Sequence, residues 1–287
     1  MNVQFVVDSA SDLPKSYYND FSLEKIPLIV ILEEKEYLDG ETIEPKTVYD
    51  AMREGKSAKT AQGTPESFYQ VFKKHAEKNV PIIYLGFSSE LSGTYQSSLI
   101  AKQQVLEEFP DAEIHTIDTK AASMGYGMIV YNVVKYAQEN EASVQDLLDL
   151  SQFYINHQEH IFTVDDLEYL QRGGRVSKTQ AFVGGLLNIK PLLHVEEGKL
   201  VPLEKIRGSN KVLKRMVEVM KERGNNLDEQ TIAITHSDSI ETAEKLKELI
   251  ISEGINPKEI IISDIGAVIG AHVGPGTIAL FFLNKTK

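Results

Sequence analysis

Short apolar runs, each too brief for a helix and closed by polar residues or glycine, alternate with amphipathic stretches along most of this chain. Val3 to Val7, Ile26 to Leu32, Ile82 to Gly86 and Ile114 to Ile117 read as strands. Between them, Thr64 to Lys78 reads as a helix: Thr64 is a fitting N-cap, Pro65 suits the first turn, and Phe68, Val71 and Phe72 share one face. Such β–α alternation predicts a mainly parallel sheet covered on both faces, a Rossmann-like first domain. Further on, Ile189 to Val195 and Leu200 to Ile206 flank Glu196-Glu197-Gly198-Lys199 and read as an antiparallel hairpin. Strands at Thr231 to Thr235, Glu259 to Ser263 and Thr277 to Leu283 follow, so the second sheet is expected to be mixed. A polar-faced helix over Ser143 to Gln158 is the expected connector, which divides the chain into an α/β domain over 1–155 and a second over 156–287.

With 287 residues and 42% hydrophobic content there is material for two ordinary cores. No run of about 18 apolar residues occurs, so no transmembrane segment is expected. The opening MNVQFVVDSASDL carries acids where a signal peptide needs basic and apolar residues. Cysteine is absent, which removes disulfides, thiolate metal sites and cysteine nucleophiles together and fits a reducing compartment. A cytoplasmic protein is the expectation. The formal charge of −12 opposes nucleic acid, which selects basic faces that release counterions.

Several motifs fail on spacing. Gly55-Lys56-Ser57 lacks the earlier glycine of a phosphate loop, since position 50 is Asp50. Gly125-x-Gly127 is followed by Val130 where a dinucleotide fingerprint needs its third glycine. His157 and His160 have no third ligand in evidence and read as solvated histidines at a helix end. No Gly-x-Ser-x-Gly elbow exposes Ser88, Ser89 or Ser92 as a nucleophile.

Four polar, glycine-bearing loops remain, placed where strands end and ligands of open α/β sheets collect. Asp8-Ser9-Ala10-Ser11-Asp12-Leu13 either caps a helix begun near Pro14 or contacts a ligand. Lys59-Thr60-Ala61-Gln62-Gly63-Thr64-Pro65 sets hydroxyls and an amide around a glycine. In Ser88-Ser89-Glu90-Leu91-Ser92-Gly93-Thr94-Tyr95, Ser92 offers a hydroxyl beside free N–H groups at a helix start, a setting that favours a carboxylate or phosphate. The stretch Gly266 to Gly276 surrounds His272 with glycines that admit close backbone approach, and a structural histidine fits the same spacing. Against the acidic average stand Arg172, Arg175 and Lys178, then Lys205, Arg207, Lys211, Lys214 and Arg215. Arg172-Gly173-Gly174-Arg175 would present guanidinium groups from a tight turn to a phosphate or acidic partner.

In their order these elements resemble the DegV family of fatty-acid-binding proteins, which includes the acyl-carrier subunits of bacterial fatty acid kinase. The resemblance spans nearly the whole chain. It rests on Asp8-Ser9 through Leu13, Ser88-Ser89 through Tyr95, Asp166 to Leu170 with Gly173-Gly174-Arg175, Ile189-Lys190-Pro191, Lys205-Ile206-Arg207-Gly208 and Ile269 to Gly276. The family's Thr-Ser-Gln-Pro element stands here as Thr60-Ala61-Gln62-Gly63, without the second hydroxyl or the proline.

The resemblance implies a long-chain fatty acid between the domains, its carboxylate hydrogen-bonded by Thr60 and Ser92 with His272 nearby. Ser9, Gly93 and Gly125 complete the expected lipid-contacting set. It implies no cofactor, and a partner kinase that turns the bound acid into an acyl phosphate, docking on Arg172, Arg175 and Arg207. The carrier itself would then not be an enzyme. The competing reading is a serine-dependent acyl hydrolase or transferase using Ser92 with His272 as its base.

Overall fold

The structure is a computed structural model that describes residues 3–176 and 189–287. In chain order the strands of the first half are β1 Gln4–Asp8, β2 Glu24–Ile26, β3 Ile29–Leu32, β4 Lys35–Leu38, β5 Ala58–Ala61, β6 Ile82–Gly86 and β7 Ile114–Asp118. Its helices are α1 Lys15–Asp20, α2 Pro45–Arg53, α3 Pro65–Ala76, α4 Thr94–Glu108, α5 Ser123–Glu139 and α6 Val144–His157. The second half adds β8 Gln158–Thr163, β9 Ile189–Glu196, β10 Lys199–Arg207, β11 Thr231–His236, β12 Glu259–Asp264 and β13 Ile278–Leu283. With them come α7 Glu168–Arg172, α8 Ser209–Arg223, α9 Ile240–Ser252 and α10 Ala267–Val273.

The first sheet is parallel throughout, ordered β2-β1-β6-β7. Every residue of β6 is buried, as expected for a strand covered on both faces. The second sheet is mixed, ordered β10-β9-β8-β13-β11-β12, with the expected β9–β10 hairpin at its edge and the parallel pair β11–β12 at the other. This α/β architecture, with a parallel sheet and a mixed one, matches the sequence expectation. Thr64 caps α3 as anticipated, accepting from Ser67 N–H at 3.1 Å, and Pro65 opens the helix. Ser143 and Asp146 form a capping box on α6. No described helix is long and apolar enough to cross a membrane.

Four local readings need correction. Ile26 to Leu32 is not one strand: Pro27 lacks an N–H, Leu28 N–H donates to Ser9 Oγ at 3.1 Å, and the chain changes sheets there. Beyond the break, β3 joins β4 and β5 in a small antiparallel sheet, so Thr60 stands on a strand, paired with Val30, and not in a loop. The glycine-rich stretch from Gly266 is likewise no open loop, because Ala267–Val273 forms α10. At the first loop, Asp8 caps the 3-10 turn Ser9–Ser11, while α1 starts without a side-chain cap.

One hydrophobic cluster runs through both halves, from Phe5, Val7 and Leu85 to Phe162, Val268 and Phe281. It brings α10 against α2, where the Tyr49 hydroxyl donates to Ile265 O at 2.6 Å. Gly270 is required at this crossing, since a Cβ there would lie 2.5 Å from Tyr49 Oη. Replacing Tyr49 by Phe strands a buried carbonyl, so urea unfolding of Tyr49→Phe should show a loss of about 1–3 kcal/mol. Half-buried Tyr37→Phe is the control, expected to stay near wild type. An equal effect in both would mean that the α2–α10 bond does not couple the two halves.

Candidate functional site

A cavity of about 320 Å³ lies between the parallel sheet's loops, the small sheet and the second sheet. That falls within the roughly 300–1,000 Å³ of small-molecule sites. Its body is apolar: Leu28, Phe87 and Leu91 from the first half, Phe162, Leu170, Val268, Ile269 and Phe281 from the second. Its polar wall consists of Thr60, Gln62, Ser92, Ser123, Arg175, His272 and Thr277 together with His160.

The sequence-expected trio comes together. Thr60 on β5 and His272 in the last turn of α10 meet with Thr60 Oγ1 2.7 Å from His272 Nε2. Ser92 lies on the same wall, just before α4. Its hydroxyl accepts from Thr94 N–H at 3.2 Å and lies 2.9 Å from Thr94 Oγ1, which in turn accepts from Gly63 N–H at 3.2 Å. Thr94 Oγ1 accepts from Gly63 N–H and Ser92 Oγ from Thr94 N–H, and of the two hydroxyls either can donate to the other. His272 Nε2 and the Thr60 hydroxyl share one hydrogen bond whose direction is set by the imidazole tautomer, and Nδ1 is buried without a partner among the described residues. The Thr60 and Ser92 hydroxyls thus stand on the same polar wall.

Close backbone contacts hold this arrangement. A Cβ on Gly93 would lie 2.0 Å from Gln62 Oε1, and Gln62 Nε2 donates to Ser97 Oγ at 2.8 Å, which pins the loop across α4. A Cβ on Gly173 would lie 2.2 Å from His272 Nδ1, and Gly174 has the positive φ of 73° that the turn needs. At the start of α10, Gly266 N–H donates to Asp12 Oδ1 at 2.9 Å and Ala267 N–H to Asp39 Oδ1 at 3.1 Å. Burial raises both carboxyls above the usual carboxylate range. Asp8 is pushed up to about 6, first by burial, against hydrogen bonds from Phe87 N–H and Tyr84. Its contacts at 2.9 and 2.7 Å anchor the segment that leads to Ser92.

Other expected residues fall differently. Ser9 is not on the cavity wall; its hydroxyl braces Leu28. Gly125 is not on the wall either, but a Cβ there would lie 2.1 Å from His160 Nε2, a lining group. Arg175, expected on a docking rim, is half-buried in the cavity wall, with Nε donating to Leu91 O at 2.9 Å and Nη1 to Gly173 O at 2.5 Å. Arg172 is exposed, stacked over Tyr169 at 4.9 Å. Arg207 is exposed at the end of β10. Lys178 lies outside the described residues. Arg215 is drawn into carboxylates, with Glu204 at 2.8 Å and Glu222 at 2.7 Å.

His160 is not a solvated helix-end histidine: it sits on β8, 4% exposed, edge-on to Phe281. Burial lowers its pKa to about 4. His272 is also lowered to about 4, first by burial and then by the Arg175 charge, so it faces the cavity as a neutral imidazole and not as the imidazolium a buried anion would invite. The polar cluster also stands at the cavity's open end, not its closed one, because Gln62 and Gly93 are exposed and Thr60, Ser92, Arg175 and His272 are half-exposed. For a hydrolase, His272 would have to reach Ser92; instead its Nε2 is engaged by Thr60 and Ser92 by Thr94.

An apolar cavity with a polar wall at its half-exposed end is suited to an amphiphile. The chain belongs to the DegV family, whose profile, described as uncharacterised, matches residues 2–285. A DegV domain-containing protein of Clostridium perfringens is 42% identical over 99% of both chains. Among solved structures, a DegV family protein of Thermus thermophilus described by its fatty acid binding superposes with a TM-score of 0.90, at 32% identity over 98% of this chain and 99% of that one. A stearic-acid-binding protein from Eubacterium ventriosum superposes with a TM-score of 0.87, at 25% identity over 98% of both.

The depressed histidines make stability depend on pH with a definite sign. A group near 6.5 unfolded and about 4 folded contributes stability that is full above 6.5 and lost as pH falls through that window to about 4. At about 1.4 kcal/mol per unit, His160 accounts for up to about 3 kcal/mol. The stability gap between wild type and His160→Gln, read by chemical denaturation, should therefore narrow as pH falls from neutral to about 4. Asp8 and its neighbours titrate alike in both proteins and cancel. A gap that does not change with pH would show that the imidazole is not held neutral.

Proposed function

We propose that this chain binds a long-chain fatty acid and presents its carboxylate to a partner kinase that converts it to an acyl phosphate, the chemistry belonging to the partner. The observation that carries the reading is the pair of hydroxyls, Thr60 and Ser92, on the polar wall at the half-exposed end of an otherwise apolar cavity. A carboxylate is acceptor-only, and two hydroxyls braced by His272 and Thr94 can each turn a proton to its oxygens. Arg175 adds a cation beside them. Burying an acyl tail of palmitoyl length contributes roughly 10 kcal/mol gross at about 0.8 kcal/mol per methylene, before ordering and association costs. The fatty acids bound by the relatives described above support the same class of ligand.

Presentation to a partner is supported by the open position of the head cluster and by two exposed cations. Arg172 ends the helix before the Gly173-Gly174 turn, and Arg207 stands at the end of the second sheet where Thr277 leads into β13. Rim charges act mainly on encounter, so they suit a partner that carries phosphate. A cytoplasmic location belongs to the same proposal, and the absence of cysteine fits a reducing compartment.

Extraction of the purified protein, followed by mass spectrometry, should recover a long-chain fatty acid at near one per chain. Thr60→Val and Ser92→Ala should each weaken fatty-acid binding by about 1–3 kcal/mol with little change in ligand-free unfolding. Arg207→Glu should slow kinase-coupled phosphorylation, most at low salt, with fatty-acid affinity at wild type. Empty protein that also refuses added fatty acid would overturn the reading; a wild-type rate for Arg207→Glu at every salt concentration would remove that residue from the docking surface.

A further inference from the structure

The apolar body of the cavity ends on an imidazole. Thr277, just before the last strand, and Ala279 and Phe281 on it line the cavity at alternate positions. The Thr277 hydroxyl donates to Val273 O at 3.0 Å, beside His272, whereas Phe281 pairs with His160 on β8. Thr277 and Phe281 are four residues apart, about 13 Å at the rise of extended chain. The hydroxyl cluster at one end is half-exposed and His160 at the other is 4% exposed, which makes one end a mouth and the other a floor.

The floor is held from several sides. The His160 ring stands edge-on to Phe281 with centroids 5.5 Å apart and planes at 83°. Ala122 N–H points at Nε2 from 3.5 Å, and the Gln158 carbonyl engages the ring's other side. Behind it lies α5, approached so closely that position 125 tolerates only glycine without a shift of the ring, a Cβ there falling 2.1 Å from Nε2.

We propose that His160 is the stop of the acyl tunnel and sets the chain length that the protein retains, with Gly125 as the positioning residue that lets the ring sit back against α5. The proposal rests on the fatty-acid reading above. A tail that ends at the ring is fully buried; one methylene more must displace a side chain packed on Phe281 and the helix, and close-packed interiors resist that. His160→Ala joins the ring's volume to the tunnel, and each further methylene buried there should tighten binding about fourfold. Gly125→Ala acts oppositely by forcing the ring towards the tail.

The test loads wild type, His160→Ala and Gly125→Ala with an equimolar ladder of saturated fatty acids from dodecanoic to eicosanoic acid, then extracts and quantifies what is retained. Total lipid per chain reports on the fatty-acid reading and its distribution on the proposal. We expect equal totals, with the peak displaced to longer acids in His160→Ala and to shorter ones in Gly125→Ala. His160→Phe, which keeps a ring of greater bulk, should shift it to shorter acids as well and serves if Gly125→Ala does not fold. Full occupancy with one distribution in every variant, or a uniform loss of all lengths, would overturn the stop. A wild type that retains nothing would overturn the fatty-acid reading instead.

Discussion

Two carboxylates from the first half of the chain hold the opening turn of a helix from the second. Asp12 and Asp39 take the N–H groups of Gly266 and Ala267, which have no partner within the helix itself. A helix of seven residues cannot sustain itself by its own hydrogen bonds, so α10 exists because it is capped and packed. Asp12 is further fixed by a hydrogen bond from the Ser123 hydroxyl at 2.5 Å and by its left-handed backbone, φ 50°. The acids bear a desolvation cost that the aligned N–H dipoles and the Ser123 hydroxyl partly offset. What this secures is the far end of the helix: His272 arrives against Thr60, a residue on a sheet of different connectivity, to within one hydrogen bond.

The head cluster is therefore an interfacial object. Ser92 is supplied by the loop after β6, Thr60 by the small antiparallel sheet, Arg175 by the Gly173-Gly174 turn and His272 by α10. None of these elements holds the site alone. Their common reference is the hydrophobic cluster that passes beneath all of them, which is why the buried Tyr49 contact matters to a site it never touches.

Much of this was legible in the sequence, and the failures have physical reasons. β6, β7 and the β9–β10 hairpin are apolar runs with clear ends, and local patterning suffices for them. Lys35–Leu38 and Ala58–Ala61 carry no such pattern, because a small half-exposed sheet buries little. Pro27 signalled the break in Ile26 to Leu32, but which sheet each piece joins is a non-local fact. In α10 four glycines around the segment mask a helix whose stability comes from its cap. Ser92 and His272 stood out as polar groups beside glycines, Thr60 came from the family resemblance, and the fold brings the three to one wall of the cavity. His160 was hidden by its polar neighbours in His157-Gln158-Glu159; only the register opposite Phe281 turns it inward. Arg175 resembled a surface charge until the fold placed its guanidinium on main-chain carbonyls. Asp39 sits beside Gly40 in what reads as an ordinary turn, and no local signal marks its reach to α10.

The cavity is not a pocket beside the core but a hollow within it, since Phe87, Leu91, Phe162, Leu170 and Phe281 belong at once to its wall and to the main hydrophobic cluster. Side chains that face a void forfeit dispersion contacts on that side. At about 24 cal/mol per Å³, a hollow of this size is a deficit on the order of several kcal/mol, comparable to the whole margin by which a domain stays folded. An apolar guest is to this chain what a large buried side chain is to another, a missing part of the interior supplied from outside. Loading and folding are then one equilibrium, and the chain without its guest stands closest to its own unfolding.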